Sequence, residues 1–382
     1  MSNSRPAPKK IVLIGPAYPY RGGQSLVEAH LYHTLSELGH DVRTVTFTTL
    51  YPKIFFPGTT QYDDSGVVFY DHRARIERLL SSVNPLTWVR AARRLRTLQP
   101  DLVLFVWWMP FFGPCYSTLA RLTKRWTRAR IGFLVENYIS HENRWFDRYW
   151  SRVTLDRADG FVCQSGFVEQ QIKAVHAQPV YRTTLSVYDC YDLERHTAAS
   201  ARQSLGLPER APVVLFFGLI RPYKGLERLV AAFPKIVEAV PEARLLIVGE
   251  AYEDAGKYTD QIATLGLSER TTFVDRFIPN EDIERYFKAA DVVCLPYHSA
   301  SQSGILMMAY GFRKPVIVTD VGGLRELVEE GKTGHVMPDN APETVAQTVV
   351  NVLRSDTDYA AHIGGLAQSL GYRSLGDIVE QL

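Results

Sequence analysis

The sequence has no apolar run of the roughly 18–20 residues that a membrane-spanning helix needs. Its nearest approach, Leu102 to Tyr116 (LVLFVWWMPFFGPCY), is broken by two prolines and a glycine. That stretch reads as a buried strand running into a loop. The basic start, MSNSRPAPKK, leads directly into IVLIG without a signal-like apolar segment. A cytoplasmic location is therefore expected. Cysteine is scarce: four in 382 residues, at 115, 163, 190 and 294. They lie too far apart for metal-ligand spacing and fit buried, reduced thiols. Acid is missing from residues 297–311, YHSASQSGILMMAYG, which stand between the apolar runs DVVCL and PVIVT. The first glycine-bearing loop, PAYPYRGGQ, lacks the GxGxxG spacing of a dinucleotide enzyme.

What is present is ordinary for a soluble protein, with 46% hydrophobic and 22% charged residues. The length implies two or three domains at about 100–200 residues each. The net charge of +2 conceals an asymmetry. Residues 1–190 hold 24 Lys and Arg against 15 Asp and Glu; residues 191–382 hold 19 against 26. A basic first half suits an anionic lipid surface, nucleic acid or an anionic substrate, or simply solvates helix faces. No nucleic-acid recognition motif accompanies it.

The fold class is α/β. KIVLIG is a continuous apolar strand of the kind found in doubly covered parallel sheets, and a helix follows over 25–40, then the strand DVRTVTF. Further strands are expected at VVFYD, DLVLFVW, RIGFLVE and GFVCQS, and helices over 85–98, 116–128 and 145–158. A second series starts near 212: PVVLFFG, ARLLIVG, TTFVDRF, DVVCLP and PVIVTD as strands, with helices between them. A late helix begins after Asn340, read as its N-cap. The polar stretch 187–211 is the expected linker. The expected domains are 1–190, 191–365 and a C-terminal helix, 366–382, returning to the first. Two Rossmann-like domains facing across a cleft place ligands at the carboxyl ends of their strands.

Three loops there carry chemistry. Gly22 and Gly23 precede the first helix and let backbone N–H groups approach an anion, unless they only make a tight turn. Arg221 and Lys224 flank a proline after FFG; a planar fork and a point charge together suit a diphosphate, unless both are merely solvated. Ser301, Gln302, Ser303 and Gly304 offer hydroxyls and a helix N-terminus. VGGLREL, 321–327, is expected to repeat that strand–glycine–helix geometry.

These motifs together resemble the retaining glycosyltransferases of family 4, which have the GT-B fold. In the first half the resemblance rests on GPAYPYRGGQSLVEAHLYHTLSELGHDV. In the second it rests on FFGLIRPYKGLERLVAAF, RLLIVGE and the block from FIPNEDIERYFKAADVVCLPYHSASQSG to KPVIVTDVGGLRELVEEGKTGHV. It implies transfer of a sugar from a nucleotide diphosphate sugar to a saccharide or lipid-linked acceptor, with retention. No cofactor or metal is implied: Arg221, Lys224, Ser303 and Gly304 would neutralise the leaving diphosphate, with Gly22 and Gly23 closing from the other domain.

Three departures stand out. Two glutamates that many members carry eight positions apart fall here on Ala300 and Met308, so ribose binding must be made otherwise, with Glu326 as a substitute. Leu219 stands where members often have arginine after FFG, leaving the phosphate to Arg221. Glu136 holds the place of a histidine near the reacting sugar; His141, with Glu142 beside it, is the replacement candidate, while Glu136 would stabilise positive charge at the anomeric carbon. The aromatics of YPKIFFPGTTQYDD and VWWMPFFGPCY would stack on an acceptor or pack the core. Arg90, Arg93, Arg94, Arg96, Arg121, Lys124, Arg125, Arg128 and Arg130 would hold the first domain on the anionic inner membrane face. The expected role is assembly of a surface polysaccharide or glycolipid. A nucleotide-sugar epimerase of the same fold and a non-catalytic nucleotide-sugar-binding homologue are the alternatives.

Overall fold

The computed structural model describes residues 7–52, 56, 58–67, 69, 71–139, 145–371 and 373–382. Two compact units share them. The first comprises Met1–Asp64, Val68–Leu185 and Gly371–Leu382; the second comprises Ser65–Val67 and Ser186–Leu370.

In the first unit the chain runs β1 (Lys10–Ile14), α1 (Gly23–Glu37), β2 (Asp41–Thr49), β3 (Ile76–Ser81), α2 (Pro85–Leu98), β4 (Leu102–Trp107), α3 (Gly113–Trp126), β5 (Arg130–Val135), α4 (Asp147–Leu155), β6 (Gly160–Cys163), α5 (Gly166–Lys173) and β7 (Val180–Arg182). The strands form one parallel sheet in the order β3-β2-β1-β4-β5-β6-β7. All six residues of β4 are buried, as its unbroken apolar sequence requires when helices cover both faces. One face packs on α2, α3 and α4 through Trp88, Leu95, Tyr116, Leu119 and Leu155.

The second unit runs α6 (Ala198–Ser204), β8 (Val213–Phe217), α7 (Leu226–Ala239), β9 (Arg244–Val248), α8 (Gly256–Thr264), β10 (Thr271–Val274), α9 (Asn280–Ala289), β11 (Val292–Leu295), α10 (Gly304–Gly311), β12 (Val316–Thr319), β13 (Gly334–Met337), α11 (Pro342–Leu353) and α12 (Tyr359–Ala367). Its parallel sheet has the order β10-β9-β8-β11-β12-β13. Strand order reverses between β1 and β4 in one sheet and between β8 and β11 in the other, the arrangement of a Rossmann-like domain. The last helix, α13 (Arg373–Val379), lies in the first unit. Its Leu375 and Val379, with Leu382, join Ile11, Leu13, Val27 and Leu31 in one cluster. Gly376 allows this approach, because a Cβ there would stand 2.6 Å from Thr34 Cγ2.

Several expectations fail for local reasons. Of VVFYD, residues 68 and 70 lie outside the described set, and Val67, Phe69 and Asp71 are not in the sheet. Val67 instead accepts a hydrogen bond from Asn280 Nδ2 (3.1 Å), and Gly66 N donates to Glu281 Oε1 (3.1 Å). The edge position belongs to β3, whose Glu77 takes Arg94 of α2 through two bonds of 2.7 Å. The stretch 187–211 contains α6 rather than a bare linker. VGGLREL contains only a three-residue 3-10 turn, Arg325–Leu327. Asn340 does not cap α11, whose N-cap is Ala341; its side chain is used elsewhere. The short elements α5, β7, β13 and α12 carry too little pattern to be anticipated.

Candidate functional site

At the carboxyl edge of the second sheet, β8 is followed by Gly218, which has φ 100°. Arg221 follows in extended backbone and opens the 3-10 turn Pro222–Lys224. Its guanidinium lies 4.8 Å from the Tyr252 ring centroid. Lys224 is buried, with its ammonium 5.6 Å from the Tyr297 ring. Burial, then repulsion from Arg221, pulls its pKa down to about 7. A Cβ on Gly218 would stand 3.1 Å from both Lys224 Nζ and Ile305 Cδ1. The lysine head and the Ile305 side chain, from the first turn of α10, thus converge on Gly218. Ser303 caps that helix, its Oγ accepting from Leu306 N at 3.3 Å. Ser301 and Ser303 are both buried, and Gln302 half-buried. Arg221, Lys224, Tyr297 and the α10 N-terminus therefore gather at one sheet edge. A buried cation beside a helix N-terminus is suited to an anion.

In the first unit, Gly22 is the N-cap of α1 with φ 110°, and Gly23 has nothing within 4 Å of a built Cβ. The first turn has neither acid nor side-chain cap. Gln24 Nε2 donates to Glu136 Oε2 at 3.1 Å. Glu136 follows β5, is buried, and donates its N–H to Trp107 O at 2.8 Å. Burial raises its pKa to about 7, against the opposing effect of the Gln24 hydrogen bond. His141 and Glu142 lie outside the described residues.

Two family models tile these units. "Glycosyl transferase 4-like domain" matches residues 22–186, and "Glycosyl transferases group 1" matches 211–355. The chain belongs to the group 1 glycosyltransferases. A D-inositol 3-phosphate glycosyltransferase of Mycobacterium sp. (strain KMS) is 31% identical over 206 residues, covering 52% of this chain and 46% of its own. The chain thus spans about half the length of such curated relatives. Among solved structures, a sucrose-phosphate synthase from Thermosynechococcus elongatus superposes with TM-score 0.76 at 20% identity over 98% of both chains. Anabaena HepE in complex with UDP does so with TM-score 0.75 at 18% identity over 98% of both, and it is also known with UDP-glucose. These likenesses carry the fold, which is GT-B.

In this group 1 glycosyltransferase the acid-free stretch 297–311 is mostly buried. Ala300 and Met308 are both buried. A Cβ on Gly322, where φ is 55°, would fall on the Ala300 carbonyl oxygen. Gly323 N donates to Ser301 O at 3.1 Å. The Gly-Gly pair therefore locks two loops together instead of opening a helix. Glu326 is exposed on the turn beyond it. Gly304 likewise makes room for a neighbour: its Cβ would stand 3.0 Å from the Tyr188 ring. Asn340 Nδ2 donates to Pro296 O (2.9 Å) and to His298 Nδ1 (2.9 Å). The ring proton is then on Nε2, which donates to Glu227 Oε1 at 2.7 Å. This chain pins the start of the loop and gives no sequence signal, since its members are 71 and 42 positions apart. The sequence also contains one Asp-x-Asp, Asp356-Thr357-Asp358; Asp358 caps α12 by accepting from Ala361 N at 3.0 Å.

The aromatics divide between core and surface. Trp107, Phe112 and Tyr116 are fully buried, while Tyr51 and Phe111 are half-buried. Trp108 Nε1 donates to Tyr51 Oη, and Tyr51 Oη to Met109 Sδ, each at 3.2 Å. Of YPKIFFPGTTQYDD, residues 53–55 and 57 lie outside the described set. Two of the nine basic residues are committed to acids, Arg94 to Glu77 and Lys124 to Asp159. Arg90, Arg93, Arg96, Arg121, Arg125, Arg128 and Arg130 are exposed. Among the described residues, no helix is long and apolar enough to cross a membrane.

Proposed function

We propose that the chain transfers a sugar from a nucleotide diphosphate sugar to an acceptor hydroxyl, with retention. One observation carries this reading: the Lys224 ammonium and the side chain of Ile305, in the Ser303-capped first turn of α10, both reach Gly218 at the carboxyl edge of β8. The leaving diphosphate gains charge as the glycosidic bond breaks. Lys224, Arg221 and the α10 amides would stabilise it there, in a water-poor setting where such contacts are strongest. Neither Ala300 nor Met308 supplies a carboxylate for ribose, so the nucleoside would rest on Glu326 or on backbone. The reading includes no metal. Glu136 and His141 are assigned to the reacting sugar, and Gly22 and Gly23 to the phosphates of the donor.

The relatives' names support a glycosyl donor and a polyol or saccharide acceptor, and the HepE complexes support a uridine nucleotide. A surface polysaccharide or glycolipid is the proposed product class. Helices α2 and α3 contain no acid, and Leu86 on α2 is 79% exposed. That face suits the anionic inner leaflet, giving peripheral attachment of a cytoplasmic protein.

The test is a transfer assay over nucleotide sugars, with excess EDTA. Wild type is expected to release nucleoside diphosphate and to glycosylate an acceptor, unaffected by EDTA. Lys224→Met is expected to lower kcat/KM by roughly 100- to 1000-fold. Donor conversion without any acceptor would favour the epimerase. Donor binding without turnover would favour the non-catalytic homologue.

A further inference from the structure

We propose that Gln24 is a positioning residue that fixes the Glu136 carboxyl so that Glu136 gives a hydrogen bond to a hydroxyl oxygen of a polyol acceptor. This rests on the transferase reading above. The geometry comes first. Glu136 leaves the carboxyl end of β5 with its N–H tied to Trp107 O, so its backbone cannot swing. Gln24, in the first turn of α1, reaches it across 112 positions of sequence and donates to Oε2 at 3.1 Å. An oxygen that already accepts from an amide leaves the proton of a neutral carboxyl to the other oxygen, Oε1. That oxygen then becomes a donor, a role an ionised carboxylate cannot fill.

The surroundings agree. Gln24 of α1 meets the carboxyl, Trp107 O at the end of β4 holds the Glu136 backbone N–H, and the neighbouring Asn137 donates instead to Trp108 O (3.2 Å). Among the described residues, no charged side chain contributes to its titration; burial raises it and Gln24 opposes. Burial without a counter-charge favours the neutral acid. With a folded value of about 7 against an ordinary 4.5, the donor form holds through the acid side and is lost as pH rises past about 7.

The experiment separates this proposal from the transferase reading by using the substrate-free protein. The neutral-carboxyl stretch is followed by infrared spectroscopy against pH, as the difference between wild type and Glu136→Gln. A band with a midpoint near 7 is expected. It should move upward in Gln24→Met, which keeps the side-chain size but removes the donor, and in Gln24→Ala. A midpoint near 4.5, or one that ignores both Gln24 variants, overturns the proposal whatever the activity. In the transfer assay, kcat of wild type should fall above about pH 7, while Glu136→Gln, whose amide still donates, stays flat with pH. Gln24→Met should lose about five- to tenfold in kcat, the size of one hydrogen bond, with donor KM unchanged. A loss confined to KM, or an alkaline limb retained in Glu136→Gln, contradicts it.

Discussion

The two sheet edges hold buried ionisable groups of opposite sign. The first unit buries a carboxyl, Glu136, and the second an ammonium, Lys224. Desolvation acts on both alike: it opposes charge, raising the acid and lowering the base until each reaches about 7. Their neighbours differ. Glu136 has an amide to hold it, while Lys224 has a second cation, Arg221, that pushes it further. The lesson concerns ligands. The first edge is internally satisfied and orients a polar group; the second carries an electrostatic cost that an arriving anion relieves.

Stability follows with a worked sign. Glu136 binds its proton more tightly folded than unfolded, so its contribution is complete below about 4.5 and is lost as pH rises to about 7. Lys224 binds its proton less tightly folded, so its contribution is present above 10.5 and is lost as pH falls towards 7. Near neutrality both have given up much of what they contribute, a pattern expected where binding rather than stability is served.

The glycine pairs sharpen the contrast most. Gly322→Ala places a Cβ on the Ala300 carbonyl at a positive φ. A loss of roughly 2–3 kcal/mol is expected in urea denaturation, with weakened nucleotide binding because the Ser301 loop shifts. Gly23→Ala has open space and should be neutral or slightly stabilising, while any anion at the α1 N-terminus is hindered. Equal destabilisation by both would break the distinction. Reversing Arg90, Arg93 and Arg96 to Glu should have the smallest effect on catalysis. It should abolish sedimentation with acidic liposomes at low salt and leave transfer to a soluble acceptor unchanged. Undiminished liposome binding would remove the membrane reading.

Much of the fold was legible because doubly covered strands have no polar face to hide. LVLFVW and VVLFF are apolar throughout and buried throughout. The expected helix 85–98 matches α2, where Asn84 accepts from Leu86 N and Pro85 takes the first helical position. β3 was not legible, because IERLLS spends Glu77 on an ion pair instead of alternating apolar residues. At the site, the positions of Arg221, Lys224 and Ser303 after their strands could be read, but the burial of Lys224 could not. VGGLREL looked like another strand–glycine–helix turn, and the constraint on its Gly322 is a carbonyl of another loop. The Gln24–Glu136 bond and the Glu227–His298–Asn340 chain depend on tertiary approach alone, which no local pattern encodes.

The most direct measurement is calorimetric binding of UDP, GDP and ADP to the full chain at pH 8, in buffers of different ionisation enthalpy. Lys224 is largely neutral there without ligand, and a diphosphate favours its charged form. The account predicts that one nucleotide binds with net proton uptake, and that Lys224→Met loses the uptake together with roughly 100-fold in affinity. Binding with no proton uptake and unchanged affinity in Lys224→Met would contradict it.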